Sequence, residues 1–335
     1  MPAPKYSKNC GYLSLCYHYI RPEKEEDPFP RIYGTRINEF HRQILMLKNN
    51  YEIISLDQAR QFSYNDYNFN KGKYGMLLTF DDGLSDHYHA AQILRENDIV
   101  GLFFIPTCIL ADQLPANPVI IHYCIAEFGI RIFLQHYRRA LENHQLNIVE
   151  YDVPFVPGKN DPGATIKRIK SALKYRIPFK ISRSILLWIY KNLFLDKYPQ
   201  GLRIMHLTEN QIYKMLDMGM YIGVHSHDHI SVAANELDEK NFNKQVIEPK
   251  YFLENKFDIE VRAFSYPFGE DADCYNSSDF VRRARDYEMC FTAKPILNLK
   301  TTSPFELGRY LVHSTDNSQN LEKILSMIIT DSKET

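Results

Sequence analysis

Short apolar runs alternate with segments of helical periodicity along most of the chain. The apolar runs predict strands over residues 12–17, 51–54, 74–80, 100–106, 220–225, 261–266 and 288–292. The segments between them predict helices over residues 38–48, 85–96, 209–216, 241–253, 278–286 and 320–329. This alternation is typical of parallel strands in an α/β sheet or barrel, where functional residues lie on the loops that follow the strands.

The alternation stops between residues 107 and 206. That segment has helical patterns over 121–143 and 182–195, separated by a stretch rich in Pro and Gly at 153–163. We therefore predict a discontinuous α/β sheet or barrel formed by residues 1–106 and 207–335, with a largely helical insertion over 107–206. The insertion is also basic, because residues 121–198 carry 13 Lys or Arg against six Asp or Glu, a net charge of +7.

The overall composition narrows the function classes. The 335 residues are 44% hydrophobic and 24% charged, which is typical of a globular protein. Forty basic and 41 acidic residues give a formal net charge of −1, so the global positive field that favours nucleic-acid binding is missing. The N-terminal apolar stretch is short and interrupted by Ser14 and His18, which favours neither an export signal nor a spanning helix. We expect a cytoplasmic protein that does not bind nucleic acid.

Two adjacent carboxylates, Asp81 and Asp82, follow the predicted strand 74–80 and precede Gly83. A single Asp at this position would be an ordinary helix N-cap, with the glycine easing the turn. Two carboxylates at one strand end repel each other unless a cation or a shared proton neutralises them. The pair therefore indicates a metal site.

A cluster of histidines follows another predicted strand, in the order His225-Ser226-His227-Asp228-His229. His225 and His229 share a face whether the segment is extended or helical. A lone histidine is usually structural, but three within five positions beside an aspartate suit coordination of a divalent cation. Two imidazoles and one carboxylate would leave a coordination position open, as in catalytic metal sites.

Two further segments follow apolar runs, FSYPFG at 264–269 and LVH at 311–313. Taken alone, the first is a strand-ending turn and the second is ambiguous. Taken in order, the four segments resemble the motifs of the polysaccharide deacetylase family, the NodB-like, metal-dependent carbohydrate N-deacetylases. TFDDG at 79–83 is similar to that family's TFDDG, and HSHDH at 225–229 fits its H-[ST]-x-x-H pattern.

This resemblance covers residues 11–106 and 207–330, and it includes Tyr17-His18 near the start of the chain. It does not reach the helical insertion. It implies a distorted, incomplete (β/α) barrel with a metal at the C-terminal ends of the strands.

The resemblance also implies roles for individual residues. Asp82, His225 and His229 would bind a divalent metal, for which zinc is the first choice and cobalt or nickel are alternatives. Asp81 would be the general base that accepts a proton from the attacking water. His313 would be the acid that protonates the departing amine. These roles meet the needs of amide hydrolysis, which takes an activated water, an electrophile and a proton donor.

The groove that binds substrate is implied to consist of Ser265, Tyr266, Pro267 and Phe268, with the backbone N–H of Phe268 directed at the developing oxyanion. Many family members carry an arginine where Ser265 stands, and that arginine pairs with the catalytic aspartate. In this chain another residue must hold Asp81, or nothing does. Two segments are candidates for the family's C-terminal motif. If ELGR at 306–309 is the matching element rather than LVH at 311–313, His313 takes no part in catalysis.

The function we favour is a metal-dependent hydrolase that removes N-acetyl groups from an N-acetylated amino sugar. Because no export signal is evident, we expect a nucleotide-linked or lipid-linked precursor, or an oligosaccharide, of bacterial surface-glycan synthesis. A catalytically silent carbohydrate-binding protein is the alternative from another class, but it would not need Asp81, Asp82, His225 and His229 together. An O-deacetylase or an amidohydrolase acting on a non-sugar amide would use the same metal residues.

The insertion carries a separate hypothesis at residues 165–199. This stretch has nine Lys or Arg and a single acid, Asp196, and contains the apolar run ILLWIYKNLFL at 185–195, too short for the about 20 residues of a spanning helix. One interpretation is an in-plane helix that contacts an anionic membrane or a lipid-linked substrate, with Trp188 and Phe194 in the acyl boundary. The other is a lid on the barrel, with the basic stretch as a solvated face or a grip on a substrate pyrophosphate.

Overall fold

The computed structural model describes residues 11–64, 67, 69, 72–152 and 161–334. Its strands are β1 Gly11–Tyr17, β2 Ile20–Arg21, β3 Thr35–Arg36, β4 Glu52–Ile53, β5 Gly75–Phe80, β6 Leu102–Ile105, β7 Tyr221–Val224, β8 Ala263–Ser265, β9 Met289–Phe291, β10 Asn298–Leu299 and β11 Tyr310–Leu311. Its α-helices are α1 Ile37–Asn50, α2 Leu56–Tyr64, α3 His87–Glu96, α4 Cys108–Ala111, α5 Asn117–Asn143, α6 Ile148–Tyr151, α7 Pro162–Ser171, α8 Phe179–Ile189, α9 Gly201–Met205, α10 Glu209–Asp217, α11 Glu239–Phe242, α12 Glu248–Phe257, α13 Ser277–Arg283 and α14 Ser318–Glu334. Short π-helical turns cover Ala172–Arg176, Tyr190–Phe194 and Asn243–Ile247, and a 3₁₀ turn covers Asp271–Asp273.

A curled, open sheet forms the centre of the molecule. Its strand order is β10-β1-β5-β6-β7-β8-β9, with β11 paired to β1 and β4 paired to β5. The pairings from β1 through β9 along this path are parallel, and β10 joins β1 in the antiparallel direction. In the described residues the two ends of the path do not pair with each other. The predicted incomplete (β/α) barrel is therefore confirmed as a half-barrel.

The apolar runs in the sequence correspond to strands because the central strands are covered on both faces. Every residue of β1, β5 and β6 is buried, and parallel strands buried on both sides read as continuous apolar stretches. All seven predicted strands are present, with boundaries shifted by at most two residues. The paired strands of two residues, β2, β3, β10 and β11, lacked a pattern long enough to recognise.

The helices predicted between the strands are also present. The helix α10 begins at a capping box. The Thr208 hydroxyl accepts a hydrogen bond from the Gln211 backbone N–H, and the Gln211 side chain accepts one from the Thr208 backbone N–H. The helix predicted over 241–253 continues through a π-helical turn into α12. The helix α2 was not predicted; it has only nine residues and buries Leu56, Ala59 and Phe62.

Between β6 and β7 the described chain is helical, as predicted for this segment. The helices α5 and α8 pack on each other around a second apolar cluster that includes Phe133, Leu186 and Phe194, and Phe29 and Leu84 of the barrel join it. Much of the predicted Pro- and Gly-rich connection, residues 153–160, lies outside the described residues. The division of the chain into barrel and insertion stays a prediction.

Most of the apolar run at 185–195 is buried within the protein. The Phe194 side chain is fully buried and stacks on Tyr198 with ring centroids 4.9 Å apart. Trp188 is half-buried, with its ring 6.2 Å from that of His136. A ring that belongs to the protein core is not free to enter an acyl layer, so the expected membrane contact of Phe194 is corrected. The packing favours the lid interpretation.

Among the described helices, α5 has the length and mean hydropathy, 1.2, of a membrane-spanning segment. Half of its apolar window is buried inside the protein, however. The backbone also leaves helical geometry at Gly129, where φ is 80°. These features are those of a long, kinked helix that packs within a folded body.

Candidate active site

The predicted site residues lie together at one edge of the sheet, where β5, β7 and β8 end. Asp81 and Asp82 directly follow β5, His225 directly follows β7, and Ser265 is the last residue of β8. Ser265 lies 184 positions from Asp81 along the chain, yet its hydroxyl donates to Oδ2 of Asp81 at 3.1 Å. Parallel strands bring their carboxyl ends to the same edge, so motifs distant in sequence become neighbours there.

Asp82, His225 and His229 form a buried cluster. Oδ1 of Asp82 lies 2.9 Å from Nε2 of His229 and 3.4 Å from Nε2 of His225. One potential ligand atom from each residue lies within 4.8 Å of the other two. The three side chains that the sequence assigned to one metal site are therefore brought together.

The donor atoms of this cluster fit a cation. Oδ1 of Asp82 is buried and, despite the short distance to His229, has no partner in hydrogen-bonding geometry among the described residues. That is the arrangement expected when an oxygen and a ring nitrogen turn their lone pairs towards a shared ion. The Nδ1–H of His225 donates to the Ser265 carbonyl at 2.9 Å, which leaves Nε2 of that ring as a free lone pair.

The local electrostatic field also favours positive charge. Burial by itself would lower the pKa of His225, but the carboxylates of Asp81 and Asp82 outweigh burial and raise it. Burial would likewise raise the pKa of Asp82, yet His229 and His225 hold it well below its usual range. Two ionised carboxylates beside two imidazoles are thus an environment that stabilises a bound cation.

Asp81 is held by Arg309, a residue that was predicted to matter only within the alternative element 306–309. The guanidinium donates from Nη1 to Oδ1 of Asp81 at 2.7 Å and from Nη2 to Oδ2 at 2.8 Å, which is a bidentate pair. Nη2 also donates to the Ser265 hydroxyl at 2.7 Å. Arg309 is 1% exposed. An arginine from the C-terminal part of the chain therefore supplies the positive charge that the neutral Ser265 side chain cannot.

This pair sets the charge state of Asp81. Burial alone would raise the pKa of the carboxyl group, but the Arg309 guanidinium outweighs it and holds the pKa below its usual range. Asp81 is consequently ionised at neutral pH and fixed in orientation through both of its oxygens. A carboxylate in this state is able to accept a proton.

The loops that carry these residues adopt an uncommon backbone conformation. Asp82, Ser226, His229 and Phe268 all have positive φ, at 79°, 56°, 56° and 67° respectively. Non-glycine residues adopt this region rarely and at a cost of about 1–3 kcal/mol each, and such residues concentrate at functional sites. Four of them around one cluster indicate that side-chain placement here outweighs local backbone preference.

Most residues of the FSYPFG turn at 264–269 are buried beside the site and do not line the cavity. Phe268 is on the cavity wall and its ring packs against His229, with centroids 4.8 Å apart. Ser265, Tyr266 and Pro267 are buried and are not among the residues that line the cavity. The structure therefore corrects the predicted groove wall, because three of its four residues are covered by other protein atoms.

A cavity of about 460 Å³ opens over the cluster, within the usual range for small-molecule sites. The barrel contributes His18, Asp82, His229 and Phe268 to its wall, and the helical segment contributes Asn117, His122, Lys167, Lys170 and Lys174 among others. No residue of the helical segment was predicted to belong to the catalytic site. The available signal was the basic bias of residues 165–199 and its interpretation as a grip on pyrophosphate.

Two histidines are candidates for a proton donor, and they differ in position. His313 is exposed, its ring packs 6.0 Å from that of Tyr310, and it is not on the described cavity wall. His18 lines the cavity, and one of its ring nitrogens lies within 4.8 Å of an Asp81 carboxylate oxygen. The role of His313 stays a prediction, and His18 is a second candidate that the structure adds.

The architecture is shared with solved deacetylase structures. The Streptococcus pyogenes deacetylase PplD, in complex with acetate, matches with a TM-score of 0.56 and 16% identity over 94% of this chain and 98% of that chain. The polysaccharide deacetylase BC0361 from Bacillus cereus matches with a TM-score of 0.53 and 13% identity over 94% and 69%. A de-N-acetylase from Aggregatibacter actinomycetemcomitans matches with a TM-score of 0.53 and 13% identity over 94% and 99%.

No protein-family model matches the chain, and no curated protein matches it significantly. At identities of 13–16%, the structural likeness establishes the fold. The chain has the polysaccharide deacetylase fold, as the motifs in its sequence predicted.

Replacing His225 with alanine should abolish tight binding of a divalent cation, because Asp82 and His229 alone offer too few ligands. Metal content after loading with zinc, cobalt or nickel would be measured by mass spectrometry of the desalted protein. The matched control is His227→Gln, since His227 is engaged by Thr107 and Asp112 instead and should keep the metal. Full occupancy in His225→Ala would show that the ligand set is wrong.

Replacing Arg309 with methionine should destabilise the fold by about 3–5 kcal/mol, because it leaves the buried Asp81 carboxylate without a partner. The double variant Asp81→Asn/Arg309→Met should recover part of this loss. Denaturant unfolding of both single variants and the double variant measures the coupling free energy, expected at about 1–3 kcal/mol. Additive effects within about 0.5 kcal/mol would mean that the pair is not coupled in solution.

Proposed function

We propose that this protein is a metal-dependent hydrolase that removes the N-acetyl group from an amino sugar of a bacterial surface glycan or of its precursor. The observation that carries the proposal is the position of Asp81, an ionised carboxylate clamped by Arg309, beside the Asp82, His225 and His229 cluster. A proton acceptor next to a cation site on the floor of a cavity suits amide hydrolysis. The fold shared with a de-N-acetylase supports the same reaction.

Asp82, His225 and His229 would hold the divalent cation, and mixed carboxylate and imidazole ligation suits zinc, cobalt or nickel. When bound, such a cation supplies Lewis-acid chemistry, which lowers the pKa of water and polarises an acyl oxygen. The hydrogen bond from His225 to the Ser265 carbonyl keeps that ring in the orientation and tautomer a ligand needs.

Asp81 would accept the proton of the attacking water. Its Oδ2 lies 3.8 Å from Nε2 of His225, so the carboxylate is at the margin of the cation site and outside the ligand cluster. Arg309 and Ser265 hold both oxygens, which removes the cost of orienting the base during the reaction. Because the pKa of Asp81 is depressed, the base stays ionised and available at neutral pH.

Departure of the sugar amine requires a proton donor, and we assign this role to His18 ahead of His313. His18 is on the cavity wall close to Asp81, whereas His313 is exposed beyond β11. A donor must reach the leaving nitrogen through a hydrogen bond, so position decides first between two chemically identical imidazoles.

Asp81→Asn should keep the metal and lose most of the turnover. An amide cannot accept the proton of water, and general-base catalysis is typically worth about 10² to 10⁴ in rate. Acetate release would be followed over N-acetylglucosamine oligomers, nucleotide sugars and lipid-linked saccharides, with metal content and circular dichroism as controls for an intact site.

Three outcomes would change the proposal. Full activity in Asp81→Asn would remove the base assignment. A free hydroxyl rather than a free amine in the product would indicate an O-deacetylase. Saccharide binding without acetate release by the metal-loaded wild type would indicate a carbohydrate-binding protein.

Replacing His18 with alanine should lower kcat on the best substrate by about 10² or more, because proton donation by a positioned side chain contributes that much. His313→Ala is the matched comparison and should stay within about threefold of wild type, since its ring lies outside the cavity wall. Steady-state kinetics of both metal-loaded variants decides between them. The reverse order of effects would return the acid role to His313.

A further inference from the structure

Three lysines of the helical segment reach the cavity from one side. Lys167 and Lys170 belong to α7, and Lys174 belongs to the π-helical turn that continues it. All three line the cavity that also contains Asp82 and His229. The spacing of three and four residues places them along one face of this continuous helical stretch.

Lys174 is already neutralised by the protein. Its ammonium lies 2.8 Å from Oδ2 of the buried Asp273 and 3.8 Å from Glu270, and it sits 4.0 Å over the Phe268 ring. This lysine ties the helical segment to the loop after β8, so its contacts account for its position without a ligand.

Lys170 is in a different situation. It is half-buried and donates to Nε2 of His122 at 2.6 Å, and Nδ1–H of that ring then donates to the Tyr19 hydroxyl at 3.0 Å. Burial, together with the neighbouring ammonium, holds the pKa of His122 well below its usual range, so the imidazole is a neutral acceptor. In the described part of the chain, no carboxylate forms an ion pair with Lys170 or with Lys167.

A partly desolvated ammonium that faces only a neutral imidazole is unfavourable unless an anion completes it. Asp82 acts on Lys170 electrostatically, but its carboxylate is directed to the histidine cluster. The missing counter-charge therefore has to come from what enters the cavity. Lys167 and Lys170, which have no ion-pair partner among the described residues, are both placed to bind such an anion.

We propose that Lys170 and Lys167 bind a phosphoryl group of the substrate, so that the enzyme acts on an amino sugar carrying a phosphate or diphosphate. This inference rests on the proposed deacetylase function and specifies its substrate class. Lysine ammonium groups bind phosphate as point charges, and two of them suit a phosphoryl or diphosphoryl group because it offers more negative charge and more oxygens than a single carboxylate. The lysines lie on the cavity wall, which favours a group of the bound substrate over a membrane surface.

The test compares kcat/KM for N-acetylglucosamine diphosphate compounds with kcat/KM for neutral N-acetylglucosamine oligomers, using metal-loaded enzyme. The diphosphate is supplied both as a water-soluble nucleotide sugar and as a short-chain polyprenyl diphosphate sugar in detergent. Wild type should prefer at least one diphosphate form, and Lys170→Gln should reduce that preference about tenfold or more through KM. The form with the higher kcat/KM identifies whether the phosphoryl group comes from a nucleotide or from a lipid.

Two variants control for charge and for folding. Lys170→Arg keeps the positive charge and should recover part of the preference. Lys191→Gln removes a charge from the same helical segment at an exposed position outside the cavity wall, and it should leave the preference as in wild type.

A binding experiment gives a readout that does not depend on turnover. Calorimetric titration of inorganic pyrophosphate into metal-free protein, which avoids chelation, should show binding that Lys170→Gln weakens about tenfold or more. If this dependence is seen but no amino sugar is deacetylated, the anion site stands and the proposed function fails.

Three results would overturn the inference while leaving the deacetylase proposal intact. The first is an unchanged preference and unchanged pyrophosphate binding in Lys170→Gln. The second is a preference for a carboxylated sugar, such as N-acetylmuramic acid, over the diphosphates. The third is loss of binding to phosphatidylglycerol vesicles in Lys170→Gln with no effect on pyrophosphate, which would assign the lysine to a membrane surface.

Discussion

The repulsion between two adjacent buried carboxylates, Asp81 and Asp82, is the constraint on which the candidate site depends. The protein compensates the two charges differently. Asp81 receives a permanent cation, the guanidinium of Arg309, through two hydrogen bonds. Asp82 faces the imidazoles of His225 and His229, which can share a metal ion with it. Two chemically identical side chains thereby acquire separate roles, one suited to accept a proton and the other to bind a cation.

The same arginine connects the strands that carry the site. Nη1 of Arg309 donates to the Thr79 hydroxyl in β5 at 3.1 Å, and Nε donates to the Thr292 carbonyl after β9 at 3.0 Å. With the bonds to Asp81 and Ser265, one side chain links the ends of three strands in the absence of a closed barrel. Its burial is tolerated because its charge is paired and its donors are engaged. Structural support and electrostatic compensation therefore depend on one side chain, that of Arg309.

The helical segment between β6 and β7 forms part of the wall of the cavity that contains Asp82 and His229. The ion pair between Lys174 and Asp273 joins the segment to the loop that follows β8, and Phe268 from that loop contacts both Lys174 and His229. The residues suited to catalysis thus come from the barrel, while the charge selection proposed for Lys170 would come from the helices. Such a division allows substrate preference to change without altering the base or the metal ligands.

The sequence by itself determined the longer strands of the central sheet, most helices and the local motifs, because these depend on the burial and spacing of residues close together in the chain. The pairs Asp81-Asp82 and His225-His229 each lie within five positions, so their chemistry is readable from the order of residues alone. Only the tertiary structure decided that Arg309 holds Asp81 across 228 positions and that Lys170 enters the cavity. The sequence marked only their surroundings, the alternative element 306–309 and the basic stretch 165–199, because the partner of a single arginine or lysine is not set by residues close to it in the chain.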